Sequence, residues 1–419
     1  MTLEETVLDI AKRSRKAALK LAVASSDAKN AALLRLADLI EENEAQIVSE
    51  NLKDLESAKD ISDAFKDRLT LNRKRILAMA EGVRQVAALP DPVGRILEEK
   101  TRPNGLKIQK IQTPIGVIAI IFESRPNVTI DCAALCLKSG NASILRGGKE
   151  AFNSNICLSK LISQALSETG LDGDCVQIIP TPDRAAMNTL LKLDSYVNCI
   201  IPRGGEKLIR FVVENSTIPV IKHYKGVCNI FIDKDADVKK AVEISVNAKC
   251  QRPGTCNAAE NLLAMRGAES AFLEVARALA KNNVEIRATK EVKEFLNKHS
   301  IPSVDASEED FYTEYCALVI SATFVKDVDD AIKFINEHSS GHSEAIITEN
   351  EKNAEKFLNG VDSACVYWNA STRFTDGFEF GLGAEIGIST DKLHARGPMG
   401  LNELCSHKYK IFGKGQTRS

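Results

Sequence analysis

Ile115-Gly-Val-Ile-Ala-Ile-Ile-Phe122 is the stretch that decides the fold, because it is an uninterrupted apolar run rich in β-branched residues. Such a run is typical of a strand buried on both faces of a parallel sheet. Downstream, short apolar runs alternate with segments of helical periodicity, which indicates βαβ units. The predicted strands lie at residues 142–145, 176–179, 199–201 and 220–222, and the predicted helices at 155–169, 185–192 and 206–215.

A second series of strands and helices follows the first. Its strands are predicted at residues 229–233, 318–323 and 344–348, and its helices at 238–247 and 268–281. No internal repeat, low-complexity tract or linker rich in Pro and Gly separates the two series. The predicted fold class is therefore α/β, with two Rossmann-type parallel-sheet domains.

The segments outside these two series have other periodicities. The first hundred residues carry apolar side chains at helical spacing. Residues 98–113 alternate between apolar and charged side chains around Asn104-Gly105, which predicts a β-hairpin. Residues 405–413 alternate in the same way and predict an edge strand.

The composition excludes several classes of protein. Lys and Arg total 55 and Asp and Glu 57, so the net charge is −2, which disfavours a nucleic-acid-binding protein. The 44% of hydrophobic residues is typical of a globular protein, and the longest apolar run, residues 115–122, is too short to span a bilayer. We therefore expect neither a nucleic-acid nor a membrane partner.

The N-terminus and the cysteines predict a cytoplasmic location. Met1-Thr-Leu-Glu-Glu5 is acidic, and no apolar segment of a secretory signal follows it. The chain has 11 cysteines, an odd number, and none of them belongs to a Cys-x-x-Cys pair. This usage is typical of a reducing compartment and predicts neither a zinc ribbon nor a thioredoxin-type site.

Cys256 stands out among these cysteines. It lies in Gln251-Arg-Pro-Gly-Thr-Cys-Asn-Ala-Ala-Glu260, where a Pro-Gly turn is predicted to lead into an apolar helix from Leu262 onward. A thiol at such a junction lies near backbone N–H groups and the positive end of the helix dipole, which favours the thiolate. The alternative is a buried structural cysteine.

Two further segments have the chemistry of an anion site. Asn127 follows the buried strand, at the sheet edge where ligands of open α/β folds bind, and its amide can donate to a developing oxyanion. Pro202-Arg-Gly-Gly205 joins a predicted strand to a helix, and backbone N–H groups of such a turn can hold a phosphate. Each segment is also compatible with an ordinary turn.

His338 and His342 are four residues apart but do not predict a metal site. Gly341 and the serines between them favour a loop, the glutamate of the zincin motif is missing, and no third ligand lies nearby. We therefore expect no bound metal.

Taken in this order, the sequence resembles the gamma-glutamyl phosphate reductases (glutamate-5-semialdehyde dehydrogenases), a branch of the aldehyde dehydrogenase superfamily, over essentially the whole chain. The most specific match to that family's signature lies within residues 325–346. The matching positions are Val325, Ala331, Ile335, His338, Ser339, Ser340, His342, Ser343, Glu344 and Ile346. Supporting matches are Phe-Glu-Ser-Arg-Pro-Asn127, Leu-Arg-Gly-Gly-Lys149, Pro-Arg-Gly-Gly205 and Cys-Asn-Ala-Ala-Glu260.

The resemblance implies a role for individual residues. Cys256 would be the nucleophile, and Asn127 would form the oxyanion hole with the Cys256 backbone N–H. The NADP(H) cofactor would lie along Arg146, Lys149, Gly204, Gly205 and Glu314. The candidates for substrate contacts are Arg125, Arg252, His223 and His342, and the cations Arg373 and Arg396 are further candidates for its phosphate and carboxylate.

One departure from the superfamily favours reduction. When Lys225-Gly226 is aligned with the superfamily's paired glycines, His223 or Tyr224 stands where hydrolytic members carry a general-base glutamate. A reductase that protects an activated acyl group has no use for that base. The resemblance therefore implies NADPH-dependent reduction of L-glutamyl 5-phosphate to L-glutamate 5-semialdehyde through a Cys256 thioester, in proline biosynthesis.

Three other functions remain open at this point. An oxidative or CoA-acylating aldehyde dehydrogenase would share the fold and most of the motifs. A Cys-His hydrolase or acyl transferase would pair Cys256 with His223 or His342 and need no nicotinamide. A non-catalytic protein, for example a partner of the upstream kinase, would not need Cys256 at all.

The resemblance also implies an organisation of the chain. Residues 1–97 and 114–224 would bind the cofactor, with part of 370–400 returning to them, and residues 225–369 would form the catalytic domain. Residues 98–113 and 401–419 would form an oligomerisation arm. We therefore expect a homo-oligomer, with glutamate 5-kinase as a candidate partner.

Overall fold

The computed structural model describes residues 1–58 and 63–418. The chain divides into two units. Unit 1 comprises residues 1–222, 381–387 and 399–419, and unit 2 comprises residues 223–380 and 388–398.

Helices and strands are numbered here in chain order. The helices are α1 (Leu3–Leu21), α2 (Ser26–Glu42), α3 (Glu44–Ser57), α4 (Asp63–Leu69), α5 (Arg73–Ala88), α6 (Asn127–Lys138), α7 (Phe152–Glu168), α8 (Arg184–Leu190), α9 (Glu206–Asn215), α10 (Val238–Cys250), α11 (Glu269–Lys281), α12 (Lys290–Lys298), α13 (Val328–His338) and α14 (Glu351–Gly360). The strands are β1 (Ile96–Thr101), β2 (Lys107–Pro114), β3 (Val117–Phe122), β4 (Ala142–Arg146), β5 (Val176–Ile178), β6 (Cys199–Arg203), β7 (Cys228–Ile232), β8 (Ala259–Met265), β9 (Glu285–Ala288), β10 (Val304–Asp305), β11 (Val319–Val325), β12 (Ser343–Ile347), β13 (Cys365–Trp368), β14 (Gly387–Ser389), β15 (Gly397–Met399) and β16 (Cys405–Phe412).

Unit 1 is built around a parallel sheet with the strand order β5-β4-β3-β6. Every residue of β3 is buried, which confirms the prediction made from its continuous apolar run. The strand predicted at residues 220–222 is wrong, because that segment forms only an isolated bridge between Val220 and Ile200. Helices α6 to α9 connect and cover the strands, and the apolar faces of α1 and α8 enter the same core.

A second sheet of unit 1 contains the predicted hairpin. Strands β1 and β2 pair antiparallel, and β16 pairs antiparallel with the other side of β2. At the hairpin turn the Gly105 N–H donates to the Arg102 carbonyl over 2.9 Å, and Gly105 has a φ of +86°, which glycine adopts without strain. The hairpin and the C-terminal edge strand are therefore confirmed.

Unit 2 contains a parallel sheet with the strand order β10-β9-β11-β8-β7-β12-β13. The central strands β7, β8 and β12 are buried almost throughout, and helices α10 and α11 pack against the apolar side chains of β8. This arrangement confirms the second α/β series.

One prediction in unit 2 is wrong and affects the candidate site. The segment from Leu262 belongs to β8 and not to a helix. A short run such as Asn261-Leu-Leu-Ala-Met265 has the composition of either a helix or a buried strand. Here pairing with β7 on one side and β11 on the other decides the outcome.

In the part of the chain that the structure describes, no helix is both long enough and apolar enough to cross a bilayer. The eleven cysteines form no disulfide with one another, and most of them are buried.

Candidate functional site

The candidate residues of unit 1 gather at the carboxyl edge of its parallel sheet. The chain runs from β3 outward to β4 and β5, then returns to place β6 on the other side of β3. The strand order therefore reverses between β3 and β6, and open α/β sheets bind ligands in the crevice at such a switch point. Asn127 follows β3 at this edge, and Gly204 and Gly205 follow β6.

The chain leaves β3 through a strained turn. Ser124 has a φ of +41°, which is uncommon for a residue with a side chain, and its N–H donates to Glu150 Oε1 over 2.9 Å. Helix α6 then begins at Asn127, one turn before Asp131. The Asn127 Nδ2 donates to Asp131 Oδ2 over 2.7 Å, so the amide is oriented by its own helix. Burial raises the pKa of Asp131 to about 6, and the Asn127 hydrogen bond opposes that rise.

At the end of β4, two buried donors lack a partner among the described residues. They are Arg146 Nε and Asn155 Nδ2. Gly147 follows Arg146 in the chain, and a Cβ there would be 2.1 Å from Asn155 Nδ2. Unsatisfied buried donors beside a glycine are suited to a phosphate oxygen. The exposed Lys149 opens the next turn, so this corner fits an anionic part of a dinucleotide.

The turn after β6 is already occupied by a carboxylate. The Gly205 N–H donates to Glu123 Oε2 over 2.9 Å. A Cβ at Gly204 would lie 2.4 Å from the same oxygen, so a larger residue there would require the Glu123 side chain to move. The structure thus places Gly204 and Gly205 at the predicted edge, with the Gly205 amide donating to Glu123.

In unit 2, Cys256 lies at the amino edge of the parallel sheet, whereas the candidate residues of unit 1 lie at a carboxyl edge. It belongs to the loop between α10 and β8, three residues before β8 begins, and so lies at the amino end of the strands. No helix starts beside it, and the predicted stabilisation of its thiolate by a helix dipole is wrong for this reason.

The backbone of Cys256 rests on the segment before β7. A Cβ on Gly226 would lie 1.9 Å from the Cys256 carbonyl oxygen and 2.6 Å from its Cα, so this close approach requires glycine. Cys228, the first residue of β7, donates its thiol to the same carbonyl over 3.3 Å. These contacts fix the position of the Cys256 main chain.

Two further sets of contacts hold the loop at its ends. Lys249 and Glu260 stand at the end of α10 and the start of β8, both completely buried, and form an ion pair of 2.5 Å. Asn257 Nδ2 donates to the Thr375 carbonyl over 2.9 Å, and Thr372 Oγ1 donates to the Asn257 carbonyl over 2.7 Å. The loop that carries Cys256 is therefore clamped on both sides.

Glu314 lies near this clamp. Burial raises the pKa of Glu260 to about 7, Lys249 opposes the rise, and the charge of Glu314 adds to it. The predicted ribose-binding glutamate therefore belongs to the same part of unit 2 as the Cys256 loop.

His342 and His223 lie on the buried side of this loop. Their ring centroids are 5.9 Å apart, and His342 Nδ1 is 2.9 Å from Ser343 Oγ and 3.7 Å from Cys228 Sγ. Burial lowers the pKa of His342 to about 3, and His223 adds to the lowering. His342 is therefore a weak base and contacts Cys228, which disfavours the Cys-His hydrolase in which it would activate Cys256.

The signature segment supports β7. Val227 N–H donates to Ser340 Oγ over 2.9 Å, and Glu344 accepts from the Asn229 N–H over 2.8 Å and from Ser339 Oγ. Burial raises the pKa of Glu344 to about 7, and these hydrogen bonds oppose the rise. The signature thus positions the strand on which the Cys256 loop rests.

His338, the other histidine of the pair, has both ring nitrogens engaged. Nδ1 lies 2.8 Å from the Phe334 carbonyl and Nε2 lies 3.0 Å from Glu308 Oε1. In the described ranges, no three His, Cys, Asp or Glu side chains are grouped so as to hold a metal ion.

The arginines differ in what surrounds them. Arg396 donates to the Asp362 carboxylate over 3.0 Å. Arg373 donates through Nε to Gln251 Oε1 over 2.8 Å and lies close enough to Cys256 for their charges to interact. Arg252 is exposed at the start of the turn that leads to Cys256.

The structure thus gathers the predicted residues into one group per unit. Asn127, Arg146, Lys149, Gly204 and Gly205 lie at the carboxyl edge in unit 1, with Arg125 in the turn before α6. Cys256, Arg252, His223, His342 and Glu314 belong to unit 2. Sequence reasoning did not single out Asp131, Cys228, Lys249 or Glu260, although a glutamate four residues after Cys256 was visible in the motif.

Comparisons with known proteins agree over the whole chain. The aldehyde dehydrogenase family matches residues 2–294 and 290–385. The gamma-glutamyl phosphate reductase of Opitutus terrae is 58% identical over 100% of this chain and 99% of its own, and that of Carboxydothermus hydrogenoformans is 53% identical over 99% and 100%. The crystal structure of gamma-glutamyl phosphate reductase from Thermotoga maritima is 44% identical, with a TM-score of 0.96 over 99% of this chain and 100% of that one. An acetylating aldehyde dehydrogenase from Geobacillus thermoglucosidasius, 16% identical with a TM-score of 0.70 over 100% and 98%, shares the fold.

Proposed function

Because the chain belongs to the aldehyde dehydrogenase family, as a member of its gamma-glutamyl phosphate reductase branch, we propose that it reduces L-glutamyl 5-phosphate to L-glutamate 5-semialdehyde and releases phosphate. The observation that carries this proposal is the 58% identity to a gamma-glutamyl phosphate reductase across the full length. The product serves proline biosynthesis. The same identity favours this reaction over the oxidative and CoA-acylating alternatives.

The first step is acyl transfer to Cys256. The thiolate attacks the acyl carbon, the new C–S bond forms, and the C–O bond to phosphate breaks with its electron pair leaving on the phosphate. Asn127, oriented by Asp131, donates to the oxyanion that develops on the carbonyl oxygen, together with the Cys256 N–H. The contacts at both ends of the loop support this step because they fix the main chain that carries the thiol.

The second step reduces the thioester. Aldehyde dehydrogenase family enzymes use NAD or NADP, and for this chain we assign NADPH, which when bound supplies the hydride. Arg146, the last residue of β4, is one of the residues that would hold it. The other residues that would hold it are Lys149, Gly204, Gly205 and Glu314. Loss of a proton and of the Cys256 thiolate from the resulting thiohemiacetal releases the semialdehyde.

The substrate contacts are assigned to three side chains, Arg125, Arg252 and His223. The fourth candidate, His342, is completely buried and is not assigned one. His223 lies beside the neutral His342. Because His223 or Tyr224 stands where hydrolytic enzymes of the superfamily carry a general-base glutamate, no carboxylate activates water there. The thioester is therefore kept for reduction and is not hydrolysed.

The organisation of the chain follows the same proposal. Residues 1–97 and 114–224, with part of 370–400, bind the cofactor, and residues 225–369 carry the catalytic cysteine. Residues 98–113 and 401–419, which include most of the exposed strand β1 and all of β16, form the arm of a homo-oligomer in the cytoplasm. Glutamate 5-kinase, which makes the unstable substrate, is the candidate partner.

The reaction is tested in reverse, because the acyl phosphate is unstable. Purified protein is mixed with pyrroline-5-carboxylate, which is in equilibrium with the semialdehyde, NADP and phosphate, and NADPH absorbance is followed. We expect phosphate-dependent formation of NADPH that is lost in Cys256→Ser. NADPH formation without phosphate would identify a hydrolytic aldehyde dehydrogenase instead.

A further inference from the structure

Two arginines flank Cys256 in unit 2. Arg252 starts the turn that leads to it, and the Thr255 N–H closes that turn on the Arg252 carbonyl over 3.3 Å. Arg373 comes from a distant part of the sequence. Its Nε donates to Gln251 Oε1 over 2.8 Å and its Nη1 donates to Asn257 Oδ1. The guanidinium of Arg373 is thus bonded to the loop on both sides of the cysteine.

These two cations lack a paired carboxylate. In the described part of the chain neither Arg252 nor Arg373 forms an ion pair, and Asp376 attracts Arg373 only at longer range. Burial lowers the pKa of Arg373, and the charge of Arg252 lowers it further. Two guanidinium groups close enough for their charges to interact repel each other, and an oxyanion bound to both offsets that repulsion.

We propose that Arg252 and Arg373 together bind the phosphate group of the acyl phosphate beside Cys256. The inference rests on the proposed function and names the side chains that recognise its leaving group. The phosphate is bonded to the carbon that Cys256 attacks, so its oxygens lie next to the thiol during the reaction. The α-carboxylate of the glutamyl group lies at the other end of the substrate, separated from this carbon by three others.

The chemistry of the pair suits this role. Each guanidinium presents a planar fork of N–H donors that matches two phosphate oxygens. As the C–O bond breaks, negative charge grows on the phosphate and its attraction to both cations strengthens. In the reverse direction the same pair holds inorganic phosphate for attack on the thioester. Arg396 differs from both members, because it is paired with the Asp362 carboxylate.

The test uses reverse kinetics, in which phosphate and semialdehyde are separate reactants. Arg252→Gln and Arg373→Lys are expected to raise the KM for phosphate about 10- to 100-fold, the effect of a lost charge-assisted hydrogen bond. The KM for the semialdehyde should change by less than about threefold. Arg266→Gln is the matched control, since Arg266 is exposed in the same unit and pairs with Glu291 at 2.6 Å.

An unchanged phosphate KM in both variants overturns the inference. A rise confined to the semialdehyde KM also overturns it, because the arginines would then bind the carboxylate. Arg252→Gln alters an exposed side chain, so it decides the question even where Arg373→Lys does not fold. If the unsubstituted protein forms no NADPH in the presence of phosphate, the proposed function itself is wrong. The inference that Arg252 and Arg373 bind the phosphate group then has no basis.

Discussion

Gly226→Ala tests whether the position of the Cys256 backbone controls catalysis. A Cβ at Gly226 would lie 1.9 Å from the Cys256 carbonyl oxygen, 2.5 Å from its carbonyl carbon and 2.6 Å from its Cα. All three atoms belong to the main chain, so no side-chain rotation can relieve the clash. Real contacts of a Cβ essentially never fall below 3.0 Å, so the two segments must separate by at least 3.0 − 1.9 = 1.1 Å.

This displacement predicts a large loss of activity. A misplacement of about 1 Å in a catalytic group costs on the order of 10²-fold in rate, and overpacking costs about 1–3 kcal/mol of stability. We therefore expect kcat in the reverse reaction to fall about 100-fold for Gly226→Ala, measured per folded protein by circular dichroism and urea unfolding.

Gly82→Ala is the matched control. Gly82 lies within α5, and a Cβ there meets nothing within 4 Å. This substitution should leave kcat unchanged and raise the free energy of unfolding by about 0.5–1 kcal/mol, because alanine is the better helix former. A folded Gly226→Ala protein whose kcat stays within about twofold of the unsubstituted enzyme would refute the reasoning.

Three further predictions concern individual polar side chains. Lys249→Met leaves the Glu260 carboxyl buried without its cation and should lower the free energy of unfolding by about 3–5 kcal/mol, whereas adding Glu260→Gln should restore part of it in urea titrations. His342 stays neutral when folded, with a pKa of about 3, but protonates near 6.5 when unfolded, so its contribution to stability is complete above pH 6.5 and is lost as the pH falls. Urea titrations near pH 7 and about pH 5.5 should show that wild type loses about 1.4 kcal/mol more than His342→Gln, and equal losses would contradict the assigned burial. Asn127→Ala should lower kcat about 10²- to 10³-fold at nearly constant semialdehyde KM, and an unchanged kcat would remove Asn127 from the oxyanion hole.

The sequence pattern of a segment predicts its structure correctly where the burial of that segment in the fold follows the same pattern. The run that ends at Phe122 is apolar on every side chain, and β3 is buried on every residue, so composition alone identifies it. The Asn104-Gly105 pair likewise marks the hairpin, since a glycine with positive φ is required at that turn. Asn127 could be predicted as a site residue because it follows β3 at the carboxyl edge of the unit 1 sheet, where ligands of open α/β folds bind.

The same reasoning failed where long-range contacts decide the structure. Residues from Leu262 onward have good helix formers, but pairing with two neighbouring strands makes them β8. The carboxyl-edge rule does not locate Cys256, which lies at the amino end of β8. The close approach of Gly226 and the buried partner of Glu260 depend on segments that meet only in the folded chain, so no local pattern shows them.

The most direct test of the Cys256 thioester is a stopped-flow measurement of NADPH formation without phosphate. Semialdehyde and NADP should give a rapid burst of NADPH proportional to the enzyme concentration, followed by little turnover, because the thioester forms but has no acceptor. Adding phosphate should then start steady turnover, and Cys256→Ser should show neither phase. A burst that appears only after phosphate is added, or steady turnover without phosphate, would contradict the account.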